Sequence, residues 1–136
     1  MTADAISLSI PHAEPFHGVA RLVVGGLAAR LDLSYEDLED LQLALVSVLE
    51  RDGYATGPEV TVRLLVAEDT VGIAIGPLDG AELSADLERQ PEDGVPMRRL
   101  LETLVQEISL EEREGAHWLR LEKRVAVGHG SSREKA

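Results

Sequence analysis

One run of residues decides the fold of this chain, and it reads Asp40-Leu41-Gln42-Leu43-Ala44-Leu45-Val46-Ser47-Val48-Leu49-Glu50-Arg51-Asp52. Within it, Leu41, Leu45 and Val48 recur at the spacing of three and four residues that places side chains on one face of an α-helix. Leu43 and Val46 make the middle of this helix apolar nearly all round. The pattern therefore predicts a helix that is covered on two sides.

The helix has clear signals at both ends. Ser34 followed by Asp37 has the spacing of a capping box, and acidic residues fill the first turns, where the helix dipole favours negative charge. Gly53 is the expected stop. The sequence thus predicts a helix that begins just after Ser34 and ends before Gly53.

A strand and a first helix precede this run. Ile6, Leu8 and Ile10 alternate with polar residues, which predicts a half-buried strand ended by Pro11. The period then changes from two to that of a helix, beginning at Pro15. The residues predicted to face the core from this helix are Val19, Leu22, Val23, Gly26, Leu27 and Leu31.

The second half of the chain predicts a hairpin, a loop, a helix and two more strands. Alternation of apolar and polar residues over 60–66 and 71–75 predicts the hairpin. The prolines and glycines of 76–94 predict a long loop with a short helical turn at 84–88. A helix follows Pro96, and strands follow at 108–110 and 118–125. The predicted fold is α+β, a two-layer α/β sandwich with helices on one face of a mixed five-stranded sheet. We expect residues 1–126 to form one domain and residues 127–136 to be a disordered tail.

Composition narrows the class of protein. The 136 residues carry 13 basic and 25 acidic side chains, and the formal net charge of -12 disfavours direct binding to nucleic acid. The sequence contains no cysteine, so it offers neither a disulfide nor a thiolate metal site. No apolar stretch is long enough to span a membrane, and the N-terminus lacks a basic leader region. These features predict a cytoplasmic protein that does not enter a membrane.

The order of elements and several segments resemble a known family. Three segments are similar to those around the nucleotide-binding helix of the GHKL (Bergerat) ATPase superfamily. They are the run from Asp40 to Ala44, the linker at 31–34 and the segment at 104–108. Within that superfamily the chain resembles the anti-sigma factor serine kinases of the RsbW kind. The resemblance covers residues from about Ala5 to Val125, and it implies the same two-layer fold.

The resemblance also exposes two missing groups. In the family, this helix carries a glutamate that acts as general base and, one turn later, an asparagine that coordinates magnesium. Matching the helices places Ser47 and Arg51 at those two positions. A serine hydroxyl is a poor proton acceptor at neutral pH, and a guanidinium has no acceptor for a metal. Glu50 and Asp52 are the nearest carboxylates, but each lies about 100° of helical rotation from Arg51.

Two further motifs of the family are altered. The aspartate that accepts a hydrogen bond from adenine corresponds to Pro77, and Asp79 replaces it only if the loop is shifted by two residues. The alternative is that Asp79, beside Gly80, is an ordinary turn aspartate. The glycine-rich lid reads Gly94-Val95-Pro96-Met97, in which Pro96 has no N–H to offer a phosphate.

The sequence therefore predicts an anti-sigma-factor-like regulatory protein with a degenerate nucleotide site. It predicts no catalytic residue, no metal ligand and no cofactor, with ATP and magnesium disfavoured. The resemblance implies a sigma factor or an anti-sigma antagonist as partner, and it leaves a homodimer open. Two alternatives remain: a divergent ATP-dependent serine/threonine kinase that uses Asp79 with Glu50 or Asp52, and a domain that binds a small anion at Arg51.

The remaining polar and aromatic candidates are weaker. The four histidines, His12, His17, His117 and His129, lack the i, i+4 spacing that favours a shared metal, which indicates structural or surface imidazoles. Trp118 is predicted on the face of the last strand opposite Leu119 and Leu121. It is either partly buried against the protein or an anchor for a partner.

Overall fold

The computed structural model describes residues 4–89 and 96–125, so the predicted tail and Gly94 lie outside the described residues. The strands are β1 (Asp4–Pro11), β2 (Glu59–Val66), β3 (Thr70–Leu78), β4 (Glu107–Arg113) and β5 (Ala116–Arg124). The helices are α1 (Glu14–Leu31), α2 (Tyr35–Leu49), α3 (Gly80–Leu87) and α4 (Met97–Glu102).

The sheet has the strand order β1-β2-β3-β5-β4. The predicted α+β architecture with five strands is confirmed, but all four pairings are antiparallel, so the sheet is not mixed. The reason lies in the connections. The chain leaves the sheet at the end of β1, runs back along it in α1 and returns to the same edge in α2. β2 therefore starts where β1 ended and runs antiparallel to it. β3 and β4 do run in the same direction, but β5 lies between them.

The core lies between the helices and the inner face of the sheet. Val62 and Leu64 of β2, Ile73 and Ile75 of β3, and Leu121 of β5 are all at most 2% exposed and share one cluster with helix residues. The alternate residues of β2 are only half-buried. The helices described therefore cover one face of the sheet, as predicted.

Helix α1 faces the core with a different side from the one predicted. Its buried residues are His17, Ala20, Val24 and Ala28. Val19 is 40% exposed and Leu22 is 75% exposed, although both were assigned to the core side. The small side chains of Ala20 and Ala28 allow the helix to pack closely, and this outweighs the larger apolar area of the other side.

Helix α2 begins as the sequence predicts. The Ser34 hydroxyl accepts a hydrogen bond from the amide of Asp37 at 3.0 Å. Leu41 and Leu45 are buried as expected, but Leu43 is 50% exposed. The prediction that this helix is covered on two sides was therefore wrong, since one apolar side faces solvent.

The segment predicted as a long loop is mostly regular. β3 continues to Leu78, and α3 follows after one residue. Asp79 begins α3 by accepting a hydrogen bond from the amide of Glu82 at 3.0 Å. The glycines and prolines of this segment suggested irregular structure, but the aspartate cap and the pairing of Leu78 with His117 hold it in place.

A buried lysine ties β5 to two helical segments. Lys123 is 6% exposed, and its Nζ donates to the carbonyl of Leu104 at 3.0 Å. The same ammonium lies 3.2 Å from a carboxylate oxygen of Asp40 and 3.7 Å from one of Asp37. In the part of the chain that the structure describes, no helix is both long and apolar enough to cross a membrane.

Candidate functional site

The position that the resemblance assigns to a metal-coordinating asparagine holds an ion pair. Helix α2 ends at Leu49, and Arg51 lies just beyond it. The Nε of Arg51 donates to the Oδ2 of Asp86 at 2.9 Å. Asp86 lies on α3 and is 3% exposed, whereas Arg51 is 42% exposed. A protein cation thus lies where the family would place a magnesium ligand.

Asp86 is held by two further donors. The Tyr54 hydroxyl donates to the same Oδ2 at 2.8 Å, and the Nη2 of Arg89 donates to Oδ1 at 2.7 Å. Tyr54 is fully buried. A buried carboxylate is costly unless it is neutralised and hydrogen-bonded, and these three donors satisfy both conditions. We call Arg51, Tyr54, Asp86 and Arg89 the Asp86 cluster.

The protonation behaviour of the cluster follows from these contacts. Burial raises the pKa of Asp86, but the hydrogen bonds from Arg51, Tyr54 and Arg89 outweigh it, so its pKa lies below the ordinary value. Burial and the hydrogen bond to Asp86 raise the pKa of Tyr54 well above its ordinary value. The hydrogen bond to Asp86 also raises the pKa of Arg51. At neutral pH the cluster therefore contains a carboxylate, a phenol and two guanidinium cations.

A cavity of about 370 Å³ lies beside this cluster. Its lining residues are Glu50, Arg51, Asp52, Glu82, Asp86 and Arg89. Four carboxylates and two guanidinium groups leave two net negative charges, which repel a phosphate or another small anion. Both arginines are already paired with Asp86. The lining therefore disfavours the anion-binding alternative.

The other predicted site residues are dispersed. Ser47 is half-buried on α2 and does not line the cavity beside the cluster. Pro77 borders a cavity of about 320 Å³ with Arg63 and Trp118. Pro96 begins α4 and borders a cavity of about 170 Å³ that also contacts Arg89. The structure thus brings Arg51 together with Asp86, and not with Pro77 or Pro96.

Asp79 and Gly80 have structural roles at the start of α3. The amide of Asp79 donates to the carbonyl of Tyr54 at 2.9 Å, and its carboxylate caps the helix. A Cβ at Gly80 would lie 2.6 Å from the His117 ring, so the ring and the helix can meet only at a glycine. These contacts place the carboxylate of Asp79 at the N-terminus of α3, where it accepts a hydrogen bond from the protein itself.

Sequence reasoning missed Asp86, Tyr54 and Arg89. Asp86 was assigned only to a short helical turn, and its partners Arg51 and Tyr54 are 35 and 32 residues away. The available signal was the acidic residue inside an apolar helical pattern, between Leu83 and Leu87. A buried carboxylate requires a cation, and Arg51 was the unexplained cation in the sequence.

The structure also brings two histidines together. The rings of His12 and His17 lie 5.9 Å apart in an edge-on arrangement, and Nε2 of His12 lies 3.2 Å from the carbonyl oxygen of Leu49. Both ring nitrogens of His17 are buried without a hydrogen-bond partner. Burial, followed by the charge of His12, lowers the pKa of His17, while Glu50 and Glu14 oppose the shift.

The histidine pair borders a cavity of about 460 Å³ between the start of α1 and the end of α2. Because His12 precedes the helix, a helical spacing rule could not detect the pair. Among the described residues, no three histidine or acidic side chains are grouped so that they could hold a metal ion. The two rings thus lie where the segment before α1 meets the end of α2.

Comparison with known proteins decides the family. No family model matches the sequence. The serine-protein kinase RsbW of Bacillus pumilus is 33% identical over 101 residues, which cover 68% of this chain and 59% of the relative. The serine-protein kinase RsbW of Halalkalibacterium halodurans is 27% identical over 131 residues, covering 82% of this chain and 78% of the relative. The chain belongs to the RsbW-like family of anti-sigma factor serine kinases.

The fold of this RsbW-like chain also occurs in a solved structure. The crystal structure of the RsbU and RsbW domains of Rv1364c from Mycobacterium tuberculosis matches with a TM-score of 0.65 at 16% identity. The match covers 90% of this chain and 32% of that one. At this identity the likeness establishes the fold alone. The chain spans 59% of the length of the Bacillus relative.

Proposed function

We propose that this RsbW-like chain is a regulatory binding protein of the anti-sigma type, and that its nucleotide site is degenerate. The observation that carries the proposal is the ion pair between Arg51 and Asp86. If the resemblance assigns Arg51 correctly, the metal position is occupied by a cation of the protein itself. Magnesium and a guanidinium cannot share that position, because the two cations repel each other.

The general base of the family is also absent under this assignment. Ser47 lies on α2 one turn before Arg51, and its hydroxyl does not accept a proton at neutral pH. Glu50 and Asp52 both line the cavity beside the cluster. These carboxylates, however, lie around Arg51, which is paired with Asp86. The carboxylate of Asp79 caps α3. The contacts thus favour binding over phosphoryl transfer.

The serine kinase alternative draws support from the names of the relatives, which are serine-protein kinases. It requires Asp86 to release Arg51 so that the carboxylates around the cavity can hold a metal. Asp86 is buried but Arg51 is 42% exposed, so solvent screens the pair and its loss costs about 1–3 kcal/mol rather than the larger cost of a fully buried pair. Nucleotide binding would have to supply that free energy, which makes the kinase the less favourable of the two functions.

The partners proposed for this chain are those of the family, a sigma factor or an anti-sigma antagonist domain, in the cytoplasm. The net charge of -12 favours a partner with a basic contact surface. Contact with a protein requires neither a metal nor a nucleotide. Binding should therefore be independent of ATP.

The experiment measures binding and phosphorylation together. Sigma factors and antagonist domains from the source genome are titrated against the full chain by calorimetry, with and without Mg-ATP. The same mixtures are incubated with ATP labelled at the γ-phosphate. The proposal predicts binding to one of these proteins, an affinity that ATP does not change, and no label on any of them. Transfer of label to an antagonist serine would overturn it in favour of the kinase.

A further inference from the structure

The outer face of the sheet, which the described helices leave uncovered, carries a groove of about 320 Å³ around the single tryptophan of the chain. Its lining residues are Arg63, Pro77, Arg113, Glu114, Ala116 and Trp118. We call it the Trp118 groove. Its volume lies at the lower end of the range of about 300–1,000 Å³ that is usual for pockets holding small molecules.

Trp118 lies flat on the sheet with one face of its indole. A Cβ built at Gly76 would come within 2.8 Å of Cγ, Cδ2 and Cε2, which lie at the centre of the indole. One ring face therefore covers the glycine, and the opposite face borders the groove. Because Trp118 is only half-buried, that second face is open to a flat partner, and aromatic rings stack on each other in an offset arrangement.

Arg63 and Arg113 enter the groove from opposite sides. Arg63 lies on β2 opposite Ala74 of β3, and Arg113 lies on β4 opposite Ala116 of β5. The strand order places β3 and β5 between them, so the two backbones are three strand spacings, roughly 14 Å, apart. The small side chains of the two alanines leave room for both arginines to reach the groove that Trp118 borders.

The charge of the groove is opposite to that of the whole protein. Among the residues that the structure describes, neither Arg63 nor Arg113 forms an ion pair, although Glu114 lines the same groove. Next to the groove, Glu111 and Arg120 balance each other in charge. The lining thus carries one net positive charge in a protein of net charge -12. It favours an anion over a cation or a neutral molecule.

The charge of the whole protein favours a small occupant. A protein partner with an acidic surface would be repelled by a chain of net charge -12. A small ion in the groove lies beside the two guanidinium groups, while charges more than about 10 Å away are largely screened at 0.1 M salt. A guanidinium binds a carboxylate through two parallel hydrogen bonds. Two arginines on opposite sides of an indole therefore match a flat ring with an acid group at each end.

We propose that the Trp118 groove binds a small, flat aromatic molecule that carries a carboxylate at each of two opposite ends. The ring stacks on the free face of Trp118, and the two carboxylates pair with Arg63 and Arg113. The groove lies on the opposite face of the sheet from the Asp86 cluster. The inference goes beyond the regulatory function proposed above and does not depend on it.

Tryptophan emission tests the proposal directly, because Trp118 is the only tryptophan of the chain. Terephthalate, a benzene ring with two opposite carboxylates, is titrated into the full chain. Saturable quenching is expected with a Kd below about 1 mM, and the Kd should rise several-fold in high salt because the ion pairs are screened. A wild type that shows no saturable quenching up to roughly 10 mM terephthalate, ten times a millimolar Kd, would overturn the proposal.

Substitution of the arginines tests which residues hold the ligand. Arg63→Gln and Arg113→Gln should each raise the Kd at least threefold, since each removes one charged hydrogen-bonding group. Arg124→Gln is the matched control, because Arg124 is exposed on the same face of β5, six residues or roughly 20 Å from Trp118. It should keep the wild-type Kd. Equal effects of all three substitutions would reveal a general charge effect and overturn the site.

Related anions test the chemical class of the ligand. Benzoate has one carboxylate, and cyclohexane-1,4-dicarboxylate has two but no aromatic ring, so each should bind at least threefold more weakly than terephthalate. AMP, whose charge lies at one end, should also bind more weakly, because it leaves one arginine without a partner. Affinity for the cyclohexane compound equal to that for terephthalate, or tighter binding of AMP, would overturn the proposed class.

Discussion

Arg51 and Asp86 are 35 residues apart in the sequence and 2.9 Å apart in the fold. The ion pair joins the end of α2 to α3, with the carboxylate buried and the guanidinium at the surface. The resemblance matches Arg51 to an asparagine that coordinates magnesium in the family. The ion pair therefore bears on whether this chain is an ATP-dependent kinase or a binding protein without nucleotide.

Replacing Asp86 with Asn should destabilise the protein by about 1–3 kcal/mol, the usual cost of breaking a buried hydrogen-bonding group. Asn keeps the shape but removes the charge that balances Arg51 and Arg89. Urea unfolding measures the change. Asp52→Asn, an exposed neighbour, is the matched control and should stay within about 0.5 kcal/mol of the wild type. Equal stability of both variants would show that the cluster is energetically unimportant.

The stability supplied by Asp86 should depend on pH in one direction. Because the folded pKa lies below the unfolded value of 3.8, this contribution is fully present above that value. It is lost as the pH falls through the folded pKa. The unfolding free energies of the wild type and Asp86→Asn should therefore converge as the pH falls below 3.8 and through the folded pKa. A difference that stays constant throughout acid titration would contradict the depressed pKa.

Arg51 and Tyr54 should be energetically coupled through Asp86. Tyr54→Phe removes a hydrogen bond to a charged acceptor, a change that costs about 1.5–3 kcal/mol. Arg51→Ala removes the second donor to the same oxygen. In a double-mutant cycle the coupling should be at least about 0.5 kcal/mol, as is usual for residues that share a network. Additive losses would mean that the two contacts are independent.

His17 should make the protein less stable in mild acid. Its folded pKa lies below the unfolded value of 6.5, so stability is complete above pH 6.5 and falls as the pH drops through the folded pKa. His17→Phe should remove part of this slope below pH 6.5. Urea unfolding of both proteins at a series of pH values measures the slope. An unchanged slope in His17→Phe would contradict this assignment.

Gly76 and Trp118 should depend on each other. A Cβ at Gly76 would overlap the Trp118 ring, which lies against this glycine on the outer face of the sheet. Gly76→Ala should therefore cost about 1–3 kcal/mol and shift the emission of the single tryptophan to the red as the ring moves into solvent. Trp118→Ala in the same chain should remove most of the added cost. Unchanged emission and stability would contradict the close contact.

The sequence was sufficient for the regular elements that carry their own signals. Alternation located the hairpin of β2 and β3, and the Ser34 cap located the start of α2. The sequence was insufficient to decide which side of α1 faces the core, because this helix has two apolar sides. The larger one, with Val19 and Leu22, was assigned to the core, but the smaller one packs closer and is buried.

The candidate site could be predicted only in part, for a similar reason. The replacement of the family residues at Ser47 and Arg51 could be inferred from local sequence matched to the family helix. The partner of Arg51 could not, because an ion pair between α2 and α3 depends on how distant helices pack. The sequence left Asp79 open between two roles, and the hydrogen bond from the amide of Glu82 places its carboxylate at the start of α3.

The most direct measurement is a thermal titration of the full chain with Mg-ATP, with an active serine kinase in the same buffer as the positive control. A ligand at a hundred times its Kd stabilises a protein by about 2.7 kcal/mol, which would raise the Tm by several degrees. No change in Tm is expected at millimolar Mg-ATP, because Arg51, which the resemblance matches to the metal-binding asparagine, is paired with Asp86. A saturable rise in Tm that requires magnesium would contradict the proposed degenerate site.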